Sequence, residues 1–238
     1  MSQTMPQTVS GLTLGSGLFS VNCYLIRTDL GFVLVDTGTR RQRSKLAERL
    51  RAHGCGPGSL KLILITHGDP DHIGSAAHVR KEFGAPIAMH EGDVQMSATG
   101  NMFSGRKGPN RLVRAVVSLV FCLPEEDRFE PNVLIDEGSD LTEYGLAGAK
   151  VLLLGGHSAG SIALLLADGS LLCGDVLENR KTPKVGSIMD DVPTAEAGVR
   201  RLKTMDVGTI YPGHGKPFAF ADLAVPEERS SVSNGGAE

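Results

Sequence analysis

The 238 residues carry 24 Lys and Arg against 27 Asp and Glu, a net charge of −3, with 30 Gly, eight Phe, three Tyr and no Trp. That balance argues against a general nucleic-acid binder, and the glycine content predicts tight turns and close backbone packing. The length is enough to bury a sizeable core.

In chain order, residues 1–17 lack the positive charge and the apolar run of a signal peptide, so a cytoplasmic location is expected. Apolar runs over 18–26 and 32–35 flank Asp29-Leu30-Gly31 and predict a hairpin, whose second arm ends in the turn Asp36-Thr37-Gly38. Leu46 and Leu50, four apart among charges, predict an amphipathic helix over 42–53 stopped by Gly54. Residues 60–65 are uniformly apolar, as suits a strand buried on both faces. They lead directly into Thr66-His67-Gly68-Asp69-Pro70-Asp71-His72-Ile73-Gly74. A helix over 73–83 closed by Gly84 and a short strand over 86–89 complete a βαβ unit.

Residues 91–109 read as irregular. Leu112, Val113, Val116, Val117 and Val120 then recur at helical spacing and predict a core helix, with a lid or a homodimer face as open alternatives. The stretch 112–123 is too short to cross a bilayer, and no membrane partner is expected. Strands are expected over 132–135 and 150–154. A second hairpin follows, 161–167 and 170–173 around Asp168-Gly169, running into Gly174-Asp175. A helix over 194–205, a strand over 209–211 and the exit loop Pro212-Gly213-His214-Gly215 come next, and from Ala221 the chain reads as a frayed tail. Both hairpins turn at Asp-Gly or Asp-x-Gly and end in an aspartate. Two such halves without a linker predict a four-layer αββα sandwich, two mixed β-sheets with helices on their outer faces. It would form a single domain over 1–220, with 221–238 as the tail. The four cysteines, Cys23, Cys55, Cys122 and Cys173, form no Cys-x-x-Cys pair and are expected as buried thiols of a reducing compartment.

Of the seven histidines, His67, His72, His157 and His214 lie just past predicted strands, among glycines that permit close approach. His53, His78 and His90 are assigned to surface or packing roles. His67, Asp69, Asp71 and His72 crowd two imidazoles and two carboxylates into six residues. Such groups repel or stay solvated unless a cation holds them. With Asp175 at another strand end, the pattern points to a two-metal site. The plainer alternative is a polar loop in which Asp71 caps the next helix.

The ordered set His67-x-Asp69-x-Asp71-His72, Gly156-His157-Ser158-x-Gly160-Ser161, Gly174-Asp175 and Gly213-His214-Gly215 resembles the metallo-β-lactamase superfamily. Leu34-Val35-Asp36-Thr37-Gly38 is similar to that family's first motif, and the resemblance covers nearly the whole chain. It implies the αββα fold, two divalent metal ions (zinc first, iron or manganese as competitors) and hydrolysis of a small-molecule substrate. By position it implies His67, Asp69 and His157 on the first metal and Asp71, His72 and His214 on the second. Asp175 would bridge them and Asp36 would tie down a turn. A hydroxide between the ions would attack an ester, thioester, lactone or related bond, oriented by Asp71. Thr66, Ser158 and Ser161 are candidates to orient the imidazoles, with plain turn hydrogen bonds as the alternative. The Gly-His-Ser-x-Gly-Ser and Pro-Gly-His-Gly stretches resemble the glyoxalase II branch. Only 24 residues follow His214, too few for that branch's glutathione-binding helical domain.

The family's motif is His-x-His-x-Asp-His, and here Asp69 stands at the second histidine. A carboxylate is a harder ligand than imidazole. Asp69 binding the first metal directly, binding it through water, or that metal being lost all remain open. Asp69, Asp71 and Asp175 sum to −3, and a hydroxide makes −4, which cancels two divalent ions. The extra carboxylate is therefore expected to favour a harder or higher-valent metal. Two other classes stay open: an iron-dependent oxidoreductase of this fold acting on oxygen or sulfur, and a non-catalytic metal-binding sensor. Arg180, Lys181 and Lys184 are candidates to meet a substrate anion, or else a solvated loop.

Overall fold

The computed structural model describes residues 7–106 and 121–227. The helix expected over 112–120 lies outside the described residues. The first sheet comprises β1 (Thr8–Leu14), β2 (Val21–Thr28), β3 (Gly31–Val35), β4 (Leu60–Leu64), β5 (Ile87–Met89) and β6 (Val133–Leu134), in that spatial order. Later come β7 (Lys150–Leu153), β8 (Ile162–Leu165), β9 (Leu171–Gly174), the small pair β10 (Leu177–Glu178) and β11 (Lys184–Val185), then β12 (Thr209–Pro212) and β13 (Phe218–Ala219). The second main sheet runs β13-β12-β9-β8-β7.

The repeat expected from the two hairpins extends to a third strand in each half. β2 and β3 pair antiparallel and β4 lies parallel to β3; β8 and β9 pair antiparallel and β12 lies parallel to β9. Each of those parallel strands ends in a candidate ligand loop.

Strands buried on both faces explain the unbroken apolar runs. Tyr24, Ile26, Val33, Val35, Leu62 and Leu64 pack against Val151, Ile162, Leu164 and Leu172 between the two sheets. The alternate residues Leu25, Leu34 and Ile63 face outward, onto Leu46 and Leu50 of α1 (Arg43–Ala52). The same outer layer includes Phe83, which belongs to α3 (Ala76–Phe83), a helix that follows the one-turn α2 (Pro70–Ile73). On the far side, Leu152, Ala163, Leu171 and Ile210 pack on Val199 and Leu202 of the last helix, Val192–Leu202. The result is the expected αββα layering.

Several details differ from the sequence expectations. The helix expected over 73–83 is broken at Gly74-Ser75. Thr37 takes the His72 carbonyl with both its N–H and its hydroxyl, and a Cβ on Gly74 would lie 2.5 Å from the Pro70 carbonyl oxygen. β1 was not anticipated, because only Leu12 and Leu14 of its seven residues are buried. The stretch expected as irregular contains α4 (Val94–Thr99), stopped by Gly100 in the left-handed region at φ 72°. Residues at the start of the expected tail belong to the fold, since Leu223 is buried in the outer core of the second sheet and Val225 packs against it. Residues 228–238 lie outside the described residues. Cys23, Cys55 and Cys173 are buried as expected, whereas Cys122 is exposed. No helix among the described residues is long and apolar enough to cross a membrane.

Candidate metal centre

All seven candidate ligands meet at one place, at strand ends of the two main sheets. His67, Asp69 and His157 form one group; His67, His72 and Asp175 a second; Asp71, His72 and His214 a third. Asp69 Oδ2 lies 3.0 Å from His157 Nε2 and 3.7 Å from His67 Nε2. Asp175 reaches His72 Nε2 at 3.3 Å with one oxygen and His214 Nε2 at 3.2 Å with the other, and Asp71 Oδ2 is 3.3 Å from His214 Nε2. Asp71 is the second residue of α2 and caps no helix. The positions are those of two neighbouring triads with Asp175 between them.

The histidines share an orientation. His72 Nδ1 donates to Asp36 Oδ2, His157 Nδ1 to the Ile188 carbonyl and His214 Nδ1 to the Ser20 carbonyl. The Thr66 hydroxyl donates to Asp36 Oδ2, so it is placed to accept from His67 Nδ1 at 3.0 Å. Each ring is thus anchored outward through Nδ1 and turns Nε2 inward, the arrangement that supplies metal ligands of fixed tautomer. Among the described residues, His67 Nε2, His72 Nε2 and Asp175 Oδ1 are buried without a well-formed hydrogen bond, the last two meeting only as the 3.3 Å ion pair. Buried polar atoms left so are costly, and a cation among them removes the cost. The donor set of imidazoles and carboxylates fits divalent ions of the zinc, iron or manganese kind.

Electrostatics follow from this crowding. Burial and the neighbouring imidazoles of His72 and His157 hold His67 well below the ordinary histidine value. Burial also opposes charge on His72, yet Asp175, Asp36 and Asp71 outweigh it and hold this imidazole well above. His214 is pushed up to about 9, because hydrogen bonds to Asp175 and Asp71 overcome its burial. Asp175 would be raised by burial, but His72 and His214 hold it well below the carboxylate range.

Supporting residues explain how the loops keep this shape. Asp36 sits at φ 59°, the one non-glycine residue at positive φ among the described residues, and its carboxylate accepts from Thr66 N–H, Thr66 hydroxyl and His72. That backbone conformation costs energy for a side-chain-bearing residue and persists because three hydrogen bonds hold it. Gly213 must lack a side chain: a Cβ there would lie 2.2 Å from Asp175 Oδ1 and 2.7 Å from His72 Cε1. Of the expected orienting hydroxyls, Thr66 contacts an imidazole, while Ser158 and Ser161 bond to each other and Ser158 to Asp93.

The sequence profile of the metallo-beta-lactamase superfamily matches residues 16–214. The chain belongs to the metallo-β-lactamase superfamily. Its similar proteins include the uncharacterized protein ML0493 of Mycobacterium leprae, 29% identical over 84% of this chain and 88% of that one. Human metallo-beta-lactamase domain-containing protein 1 is 27% identical over 86% of this chain, which spans 65% of the human protein. Hydroxyacylglutathione hydrolase GloC of Haemophilus influenzae is 26% identical over 83% and 86% of the two chains. Among solved structures, TTHA1623 in a di-iron-bound form superposes with a TM-score of 0.68 at 25% identity, covering 89% of this chain and 95% of that one.

Within this metallo-β-lactamase site, two residues were missed by sequence reasoning. Asp93 is buried and accepts from Gly68 N–H, Gly160 N–H and the Ser158 hydroxyl, joining the two loops that carry His67 and His157. Arg106 donates to Asp69 Oδ1 at 2.6 Å, to the His157 carbonyl at 2.6 Å and to Asp190 Oδ2 at 2.7 Å. Neither has a local sequence signal, since each partner is distant along the chain. The expected basic cluster is largely paired: Arg180 and Lys184 both reach Glu178, and Lys181 is exposed. His53 is exposed, His78 pairs with Glu82, and His90 is buried and accepts from Gly92 N–H, in keeping with surface and packing roles.

Five of the candidate ligands, Asp69, Asp71, His157, Asp175 and His214, line a cleft of about 930 Å³. Three large apolar side chains on its lining face solvent: Phe19, Ile188 and Phe121, exposed by 86%, 70% and 50%.

Proposed function

We propose that this metallo-β-lactamase-fold chain is a cytoplasmic metal-dependent hydrolase that cleaves a small-molecule ester, thioester, lactone or related bond next to an apolar group. The observation that carries the reading is the convergence of four inward Nε2 atoms and three carboxylates, five of these seven residues lining an open cleft. Zinc stands first as the metal, and the similarity to di-iron-bound TTHA1623 keeps iron in contention. Bound by these residues, a pair of divalent ions supplies an activated water and electrophilic assistance to the scissile bond. Asp71, partly open to the cleft, would hold a metal and orient that water. Asp175, held ionised, keeps His72 and His214 in place. Phe19, Ile188 and Phe121 take up the apolar part of the substrate and limit water around the reacting bond. The similarity to a hydroxyacylglutathione hydrolase supports a thioester as the first class to try.

The test is elemental analysis of the purified protein, followed by steady-state hydrolysis of thioesters, esters and lactones graded in acyl length. A metal pair per chain and kcat/KM rising with apolar length are expected, with Asp71→Asn losing roughly 100-fold or more. A chain that takes up no metal would sink the reading. Bound iron with oxygen consumption and no hydrolysis would replace it with the oxidoreductase.

A further inference from the structure

We infer that Arg106 is a positioning residue that cancels the charge of Asp69 and thereby sets which metal the first position prefers. The inference rests on the metal-centre reading above and concerns the one ligand position at which this chain departs from its family's motif.

The Arg106 side chain is 6% exposed, and its donors are divided among three acceptors: Asp69 Oδ1, the His157 carbonyl and Asp190 Oδ2. A guanidinium is charged at every accessible pH and its planar fork fixes its partners' geometry. Two consequences follow for Asp69. Its Oδ1 is occupied, so Oδ2, 3.0 Å from His157 Nε2 and 3.7 Å from His67 Nε2, is the oxygen presented to a metal. Its charge is also balanced at contact distance, so the group His67, Asp69 and His157 together with Arg106 carries no net charge, as three histidines would.

Counted alone, Asp69, Asp71 and Asp175 sum to −3, and Arg106 brings the sum to −2, the value for a site with histidine at position 69. Asp190 draws on the Nε edge of the same guanidinium, but it belongs to none of the ligand groups and its side chain is 25% exposed, where water shares its charge. The expectation that the extra carboxylate steers the site to a hard metal therefore holds only for an Asp69 without Arg106. With the arginine in place, the first position favours a borderline ion such as zinc over manganese more than an isolated carboxylate would.

The experiment strips the intact chain of metal, dialyses it against equimolar zinc and manganese, and measures both bound metals by elemental analysis. Wild type, Arg106→Gln, Asp69→His and the double variant are compared. With Asp69 present, Arg106→Gln should raise the bound manganese-to-zinc ratio by about threefold or more; in the Asp69→His background it should change by less than about twofold. Asp190→Asn, a change at a partly exposed residue, leaves the guanidinium to Asp69 and should move the ratio the opposite way. This second variant keeps the test decisive if Arg106→Gln does not fold. A ratio indifferent to both changes, or one that shifts equally in both backgrounds, overturns the inference while leaving the metal centre intact. Wild-type protein that binds neither metal overturns the metal-centre reading, and this inference with it.

Discussion

The four inward-facing histidines are placed to respond to protons, and the sign of that response can be worked out residue by residue. His72, His157 and His214 are all held above the ordinary histidine value, the last at about 9, against a reference of 6.5. For each, burial works against the charge and the facing aspartates overcome it. A raised folded-state value means that the stabilisation is complete below pH 6.5 and is lost as pH rises through the folded value, about 9 for His214. His67 works the other way, since it is buried as a neutral ring and costs stability when pH falls below its reference value of 6.5. Metal-free protein should therefore lose stability from about pH 6.5 to pH 9 on account of the three raised rings. Metal affinity should rise over the same range, because the ions need neutral imidazoles. Denaturant titrations of metal-free protein across that range check the first part. Proton release when zinc is added in weak buffer at pH 7, about one proton per charged ring displaced, checks the second. Stability that rises steadily to pH 9 would count against the assigned contacts.

At the scale of elements, the site depends on two loops being held in register, and Asp93 is where they meet. It opens no helix with its side chain; its oxygens are used instead by Gly68 and Gly160 N–H and by the Ser158 hydroxyl. Asp93→Ala leaves the buried Gly68 and Gly160 N–H groups unpaired and takes one partner from the Ser158 hydroxyl, which should cost about 3 kcal/mol. Because Asp93 touches no inward Nε2, metal occupancy should fall through displacement of the loops. Denaturation of metal-free variant and wild type gives the first quantity, and elemental analysis the second. An unchanged denaturation midpoint would show that the junction contributes nothing. The same junction marks what the sequence made legible. The ligands were readable because each follows a strand whose apolar run or flanking glycines announce its end, as at Ile65-Thr66-His67 and Pro212-Gly213-His214. The doubled hairpin was readable for the same reason, since β3 from Phe32 onward and all of β9 are buried. β1 was not, because most of its residues face solvent or are half-buried and an edge strand needs little apolar alternation. Asp93 and Arg106 were invisible because their roles are defined by partners far along the chain. A carboxylate 25 residues from Gly68 and a guanidinium 37 residues from Asp69 have no spacing signature.

For the whole molecule, the ligands are divided between the two sheets. His67, Asp69, Asp71 and His72 follow β4 of the first, while His157, Asp175 and His214 come from the loops after β7, β9 and β12 of the second. The protein alone also joins the halves near this point, through Asn22 N–H to the Gly213 carbonyl, Ile162 N–H to the Thr66 carbonyl and the Tyr24 hydroxyl to the Pro212 carbonyl. Metal bound across these candidate ligands would add a tether between the sheets and satisfy buried atoms that lack hydrogen bonds. A ligand that binds only the folded state at 1,000 times its dissociation constant stabilises by about 4 kcal/mol. In a chain of this size each kcal/mol moves the melting temperature by about 2–4 °C, so stripping the metal should lower it by roughly 8–16 °C. Calorimetry of chelator-treated protein, with re-addition of zinc in steps, would measure this. Because the tether spans the sandwich, amide exchange should speed up on both sides of it, in the loop after β4 and in the loops after β9 and β12. Faster exchange confined to one sheet would mean that the metal is held by that half alone. An unchanged melting temperature in protein verified as metal-free would mean that the ligands do not act across the two sheets at all.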